Sequence, residues 1–99
     1  MIYIKNKVKW AVIFHRQVVK ALPTLPEAVC ARFGVLSREI EELGPVRGNW
    51  KNYGKLLKNQ HHCHLRAGRP TYVACWEVLD LEKRIVEVYY VGTHEKAPY

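Results

Sequence analysis

The sequence predicts a small α+β domain in which an N-terminal strand and two helices pack on a twisted, mainly antiparallel sheet, in the order β-α-α-β-β-β. Three observations predict this class: a long stretch with apolar residues three or four apart, later stretches rich in β-branched and aromatic residues, and short connections between them. The 99 residues suffice for one hydrophobic core, so we expect a single domain spanning residues 1–99.

The first strand and a brief helix are predicted at the N-terminal end. Residues 9–15 read KWAVIFH, and this β-branched and aromatic composition is typical of a strand. Residues 2–4 are either a short partner strand or a frayed end. Residues 16–22 are predicted to form a short helix that Pro23 ends.

A longer second helix is predicted to begin at a capping box. Thr24 is the expected N-cap, and Glu27 stands three residues after it, where its carboxylate can reach back to a free amide. One apolar stripe follows at spacings of four and three residues: Val29, Phe33, Leu36, Ile40 and Leu43. The Gly44–Pro45 pair is expected to end the helix, and Gly34 in its middle predicts a close packing contact.

The C-terminal half is predicted to be mostly sheet. Residues 45–59 are expected to form a loop with a turn of helix near residues 53–57. Three strands are predicted after it, at residues 61–66, 72–79 and 85–92. Because the connections between these strands are short, we expect hairpins and an antiparallel meander, with the helices on one face.

The formal net charge of +7 is unevenly distributed along the chain. Residues 44–75 contain six Lys or Arg and no acid, with Trp50, Tyr53 and Tyr72 among them. Cations can bind phosphate and rings can stack on nucleobases, so this stretch favours a nucleic-acid partner over a generic basic surface. The predicted RNA-binding residues are Arg47, Lys51, Lys55 and Lys58.

The composition excludes several classes of protein. The apolar stretches are far shorter than the ~20 residues of a membrane span, and no charged-then-apolar signal segment opens the chain, so we expect a cytoplasmic protein without a membrane partner. Cys30, Cys63 and Cys75 cannot all pair and lack C-x-x-C spacing. We therefore expect small buried apolar residues rather than a disulfide framework or a zinc knuckle.

Histidines on a predicted strand are the most informative feature of the sequence. Within residues 61–66 (HHCHLR), alternation places His62, His64 and Arg66 on one face if Cys63 points into the core. His94 follows the last strand and can reach the same face from an antiparallel neighbour.

Three readings of these histidines are open: zinc ligands, structural residues of a sheet face, and acid–base or phosphate-binding groups. Imidazole titrates near pH 6.5, so a neutral and a protonated histidine can serve as base and acid at neutral pH. The sequence contains no P-loop, no G-x-G-x-x-G and no Ser/His/Asp signal. Cleavage of RNA by its own 2′-hydroxyl needs only a base, an acid and cations on the phosphate, which favours the third reading without a metal or cofactor.

The C-terminal half also carries a family resemblance. A basic strand ends in LRAGR at residues 65–69, an aromatic and acidic strand reads YVACWEV at residues 72–78, and an apolar strand leads to Gly92, Thr93 and His94, with Tyr99 shortly after. This run, from about residue 50 to residue 99, resembles the RelE/ParE superfamily of toxins. The resemblance implies a RelE-like fold and a bacterial toxin–antitoxin module whose toxin cleaves mRNA on the ribosome without a metal.

The resemblance also implies roles for individual residues. The hairpin arginine that holds the phosphate falls on either Arg66 or Arg69, because this hairpin is about two residues longer than is usual in the family. The catalytic residues implied are His62, His64, Arg66, Arg69, His94 and Tyr99. The partners implied are a cognate antitoxin protein, mRNA and ribosomal RNA. Two alternatives share the fold: a ParE-like toxin that poisons DNA gyrase, and a member that binds RNA or its antitoxin without cleavage.

Overall fold

The computed structural model describes residues 9–99, and the possible strand at residues 2–4 lies outside them. The described residues form two α-helices and five strands, with short 3₁₀ turns after the first helix and after the last strand. In chain order these are β1 (Ala11–Phe14), α1 (Arg16–Ala21), a 3₁₀ turn (Leu22–Thr24), α2 (Glu27–Leu43), β2 (Gly54–Lys55), β3 (Gln60–Arg66), β4 (Tyr72–Asp80), β5 (Ile85–Thr93) and a 3₁₀ turn (His94–Lys96).

The five strands form one sheet in the order β1-β5-β4-β3-β2. Strand β1 runs parallel to β5, and the other three pairs are antiparallel. The predicted fold class is therefore confirmed, and the three C-terminal strands begin and end within one residue of their predicted bounds. No helix in residues 9–99 combines the length and the apolar character that crossing a membrane requires.

Helix α2 begins later than the capping box predicts. Its N-cap is Pro26, which makes no side-chain capping bond. The hydroxyl of Thr24 instead donates to the carbonyl of Ala21 at 2.6 Å, because Thr24 closes the 3₁₀ turn that continues α1. The prediction of Thr24 as N-cap is therefore wrong, whereas the predicted end of the helix at Gly44, with φ of +100°, is confirmed.

The apolar stripe of α2 packs against the sheet over most of its length. Its first four members are buried, whereas Leu43 is 65% exposed, so the packed face ends about one turn before the helix does. A Cβ on Gly34 would meet no atom within 4 Å, because Gly34 lies on the outer side of the helix. The prediction of a close contact at Gly34 is wrong.

Strand β2 stands where a turn of helix was predicted. Gly54 pairs with His62 and Lys55 with His61, so the basic connection adds an edge strand to the sheet. A Cβ on Gly54 would lie 3.2 Å from Nε2 of His62. Glycine at this position lets the backbone of β2 approach the imidazole, and the prediction of helix near residues 53–57 is wrong.

The core lies between α2 and one face of β3, β4 and β5. Trp76 is its largest fully buried side chain, and its indole N–H donates to the carbonyl of Pro45 at 3.0 Å. His61 is also buried, at 3% exposure, with its ring stacked on Trp76 at 5.8 Å and 6°. Nδ1 of His61 and the hydroxyl of Tyr53 share a hydrogen bond of 2.7 Å. The core-facing side of β3 therefore carries one satisfied histidine that is not part of the opposite face.

Candidate functional site

The alternation predicted for β3 is present in the structure. Cys63 and Leu65 are buried in the core, and His62 and His64 are half-buried on the opposite face. A bulge then follows: His64 pairs with Val73, whereas Arg66 pairs with the adjacent Tyr72. Because the bulge adds one residue to β3, Arg66 lies beyond the regular register of the histidines.

The chain after β5 folds back over this face. The rings of His64 and His94 are 5.5 Å apart, and the ring of Tyr99 is 4.9 Å from that of His62 and 5.8 Å from that of His94. We call these four side chains the histidine cluster. The structure thus brings together four residues predicted for the site, although 30 or more positions separate the two β3 histidines from the other two.

An open cavity of about 600 Å³ adjoins the histidine cluster. His64, Arg69, His94 and Glu95 contribute side chains to its wall, together with the hairpin between β3 and β4. The amide of His94 donates to the carbonyl of Thr71 at 2.8 Å, which ties this hairpin to the end of β5. Of the two candidate hairpin arginines, Arg69 lines this cavity and Arg66 does not.

Arg66 lines a second, smaller depression on the other side of His64. This depression has a volume of about 240 Å³ and is also lined by Arg32 and Lys51. The carbonyl of Lys51 accepts a hydrogen bond of 2.8 Å from the amide of His64, which holds Lys51 beside β3. His64 is therefore shared by two concave surfaces that both carry cations.

Burial and neighbouring cations lower the pKa of two histidines in the cluster. The pKa of His62 is lowered mainly by burial and further by His64 and His94. The pKa of His64 is lowered by burial, by His94 and by Lys51. Both imidazoles are therefore mainly neutral at pH 7, and a neutral imidazole can accept a proton.

His62 is more enclosed than His64. Its Nδ1 atom is buried and has no hydrogen-bond partner among the described residues. Its Nε2 atom faces the backbone of Gly54, and the ring of Tyr99 covers it from another side. His64, which lines both cavities, is consequently the strand histidine more accessible to a ligand.

Arg47, predicted to bind RNA, is used within the fold. Its guanidinium donates to Oε1 of Glu39 at 3.1 Å, and its side chain is only 12% exposed. Asn49 and Trp50 donate to the same oxygen, at 3.1 and 2.8 Å. These donors, led by Trp50, lower the pKa of Glu39 although burial opposes them. Arg47 fastens the segment after α2 to that helix, so an RNA-contacting role does not fit it; Lys51, Lys55 and Lys58 are exposed.

Arg32 lies near the site and was not predicted. It lies on α2, where its Nε donates to the carbonyl of Leu65 at 2.9 Å and its guanidinium carbon is 5.0 Å from the Trp50 ring centre. The helical spacing contains a signal that could have identified it. Arg32 is three residues after Val29 and four before Leu36, so it borders the buried stripe and faces β3.

The cysteines contribute no reactive group near the histidines. All three are free; Cys63 and Cys75 are fully buried, and burial raises the pKa of each thiol to about 12. Cys30 is only half-buried, and its thiol donates to the carbonyl of Leu22 at 3.3 Å. Within the part of the chain that the structure describes, no group of three or more His, Cys, Asp or Glu side chains is arranged to hold a metal ion.

The fold that carries this basic, histidine-lined site is shared with solved structures. It is the RelE fold, as predicted: the chain superimposes on a mutant of the E. coli toxin RelE in the free state with a TM-score of 0.68 and 21% identity, over 90% of this chain and 87% of that one. It also superimposes on the archaeal RelE–RelB complex from Pyrococcus horikoshii OT3 with a TM-score of 0.59 and 20% identity, over 89% and 98%. No protein-family model and no curated protein matches the sequence.

Proposed function

We propose that this chain is the toxin of a toxin–antitoxin module and that it cleaves mRNA on the ribosome without a metal. One observation carries the proposal: His64, His94 and Arg69 line a single open cavity on a RelE fold. These side chains supply a proton acceptor, a proton donor and a cation for phosphate. They are the groups that cleavage by the 2′-hydroxyl of RNA requires.

In the proposed reaction, neutral His64 takes the proton from the 2′-hydroxyl. The 2′-oxygen then forms a bond to the adjacent phosphorus, and the bond from phosphorus to the 5′-oxygen breaks. His94, in its protonated form, gives a proton to the departing 5′-oxygen. The products are a 2′,3′-cyclic phosphate and a free 5′-hydroxyl, and Arg69 stabilises the charge on the phosphate oxygens during the exchange.

Tyr99 and His62 have supporting roles in this proposal. Tyr99 contacts the rings of both His62 and His94, so it orients His94 and encloses His62. Lys51, Lys55 and Lys58 are exposed, and in this proposal they bind the backbone of mRNA or ribosomal RNA. A cognate antitoxin and a cytoplasmic location complete the proposed module.

The experiment compares purified wild type with His64→Ala, His94→Ala and Arg69→Ala on ribosomes programmed with mRNA. Each acid–base substitution should lower the cleavage rate by roughly 10²- to 10⁴-fold, in buffer containing EDTA as well. His15→Ala is the matched control, because His15 is exposed and caps α1 outside the cavity.

Full cleavage by both His64→Ala and His94→Ala would contradict the proposed chemistry. Cleavage that is lost in EDTA and restored by zinc would favour a metal site instead. If expression of the chain in cells produces gyrase-dependent DNA damage and leaves mRNA intact, the chain is a gyrase-poisoning toxin. Binding of mRNA without cleavage would identify it as a binding member of the fold.

A further inference from the structure

The depression on the far side of His64 has a concentration of positive charge that the proposed reaction does not use. Arg32, Lys51 and Arg66 line it, together with His64, Leu65 and Ala67. Among the described residues, none of those lining it is acidic. Three cations converge there from α2, from the segment before β2 and from the end of β3.

Arg32 is held in place before any ligand arrives. Its Nε donates to the carbonyl of Leu65, and its guanidinium lies over the ring of Trp50. A guanidinium has five N–H donors, and this hydrogen bond uses one of them. The terminal nitrogens therefore remain as a planar pair of donors on an exposed residue, and this geometry matches two oxygens of one phosphate.

The acid that borders the adjoining depression is already engaged. Glu39 borders an adjoining depression with Arg32 and Lys51, but its Oε1 accepts hydrogen bonds from Arg47, Asn49 and Trp50. The guanidinium of Arg47, 3.1 Å from Oε1 of Glu39, also neutralises the charge of this carboxylate. The cations of the depression are thus left to attract an external anion.

We propose that Arg32, Lys51 and Arg66 form a second phosphate-binding subsite, which holds the phosphate next to the one that is cleaved. The proposal rests on the proposed function and deepens it, because it defines the substrate as a strand at least three nucleotides long. His64 lines both this subsite and the larger cavity with Arg69. A strand that crosses His64 places one phosphate on each side of it.

The test measures binding of two short probes by NMR titration, one a dinucleotide with a single internal phosphate and the other a trinucleotide with two. Both carry 2′-O-methyl groups, which remove the nucleophile and prevent cleavage. Wild type should bind the trinucleotide more tightly. Arg32→Gln and Lys51→Gln should each weaken trinucleotide binding by roughly 3- to 10-fold and leave dinucleotide binding unchanged.

Two further variants complete the comparison. Arg69→Gln should weaken binding of both probes, because Arg69 lies in the cavity proposed for the cleaved phosphate. Arg38→Gln is the matched control for Arg32→Gln, since it removes an exposed arginine from the same helix outside both cavities. Circular dichroism verifies that each variant is folded, and Lys51→Gln tests the subsite if Arg32→Gln destabilises the chain.

The possible failures are distinguishable. If Arg69→Gln weakens both probes while Arg32→Gln and Lys51→Gln change neither, the second subsite is overturned and the proposed function is retained. A loss of equal size for both probes in Arg32→Gln and Lys51→Gln would also overturn it, because the cations would then act on a single phosphate. A dinucleotide affinity unaffected by Arg69→Gln would overturn the proposed RNA site and the subsite with it.

Discussion

At the scale of single residues, neighbouring histidines of β3 have opposite surroundings. His61 is packed against Trp76 in the core, and His62 and His64 lie on the face with His94. Alternation along the strand accounts for this division, and the sequence predicted it for His62 and His64. The contact of Tyr99 with His62 could not be derived from alternation, because it depends on the path of the chain after β5.

We predict that His61 makes the stability of the fold depend on pH. Burial, aided by Lys55, lowers its pKa from 6.5 to about 4. Folding thus favours the neutral form of His61. The free energy of unfolding is therefore unaffected by this group above pH 6.5, and it decreases by up to about 3 kcal/mol as the pH falls toward 4. Urea unfolding at several pH values should show a shallower pH dependence for His61→Phe than for wild type. An unchanged slope would contradict the assignment.

Tyr99 supports a second prediction at this scale. Burial is the largest cause of the lowered pKa of His62, and the ring of Tyr99 provides part of the cover. In Tyr99→Ala the pKa of His62 should rise toward 6.5, whereas Tyr99→Phe keeps the ring and should preserve the lowered value. NMR titration of the His62 imidazole measures both variants. Equal His62 titration in the two variants would show that the ring does not shield it.

At the scale of elements, the helices and strands that follow from apolar spacing within one segment were predicted more reliably than those that depend on contacts with another part of the chain. The strands β3, β4 and β5 and the buried part of α2 follow directly from apolar spacing. The start of α2 was wrong because Thr24 bonds within a 3₁₀ turn that competes with the capping box. Strand β2 was missed because its two residues form a strand only by pairing with His61 and His62.

Replacing glycine by alanine should have different consequences in two elements, because Gly34 faces open space and Gly54 faces an imidazole ring. Gly34→Ala should raise the free energy of unfolding by roughly 0.5–1 kcal/mol, because a Cβ there meets nothing and alanine favours the helix. Gly54→Ala should displace the imidazole ring of His62, since the new Cβ at position 54 would lie 3.2 Å from Nε2 of His62. Chemical denaturation tests the first, and the NMR shifts of His62 test the second. Unperturbed His62 signals in Gly54→Ala would contradict the proposed contact.

At the scale of the whole molecule, the location of the charge matters more than its total. The net charge of +7 indicated an anionic partner, and the acid-free stretch at residues 44–75 limited the region in which to look. The structure then separates Arg47, which is paired with Glu39, from Lys51, Lys55 and Lys58, which are exposed. Sequence spacing could not make that distinction, because Arg47 and Lys51 occupy similar positions in a basic segment.

We therefore predict that the salt dependence of RNA binding follows the position of the cations and not only their number. Replacing Lys51, Lys55 and Lys58 by Gln should reduce the slope of log Kd against log salt for a 2′-O-methylated single strand by roughly 2, since each phosphate contact contributes about 0.7. The control with the same loss of charge replaces Arg16, Lys20 and Arg38, which are exposed on α1 and α2 outside both cavities. It should change the slope far less. Equal reductions in the two triple variants would mean that the strand is attracted by net charge alone, with no preferred path past His64.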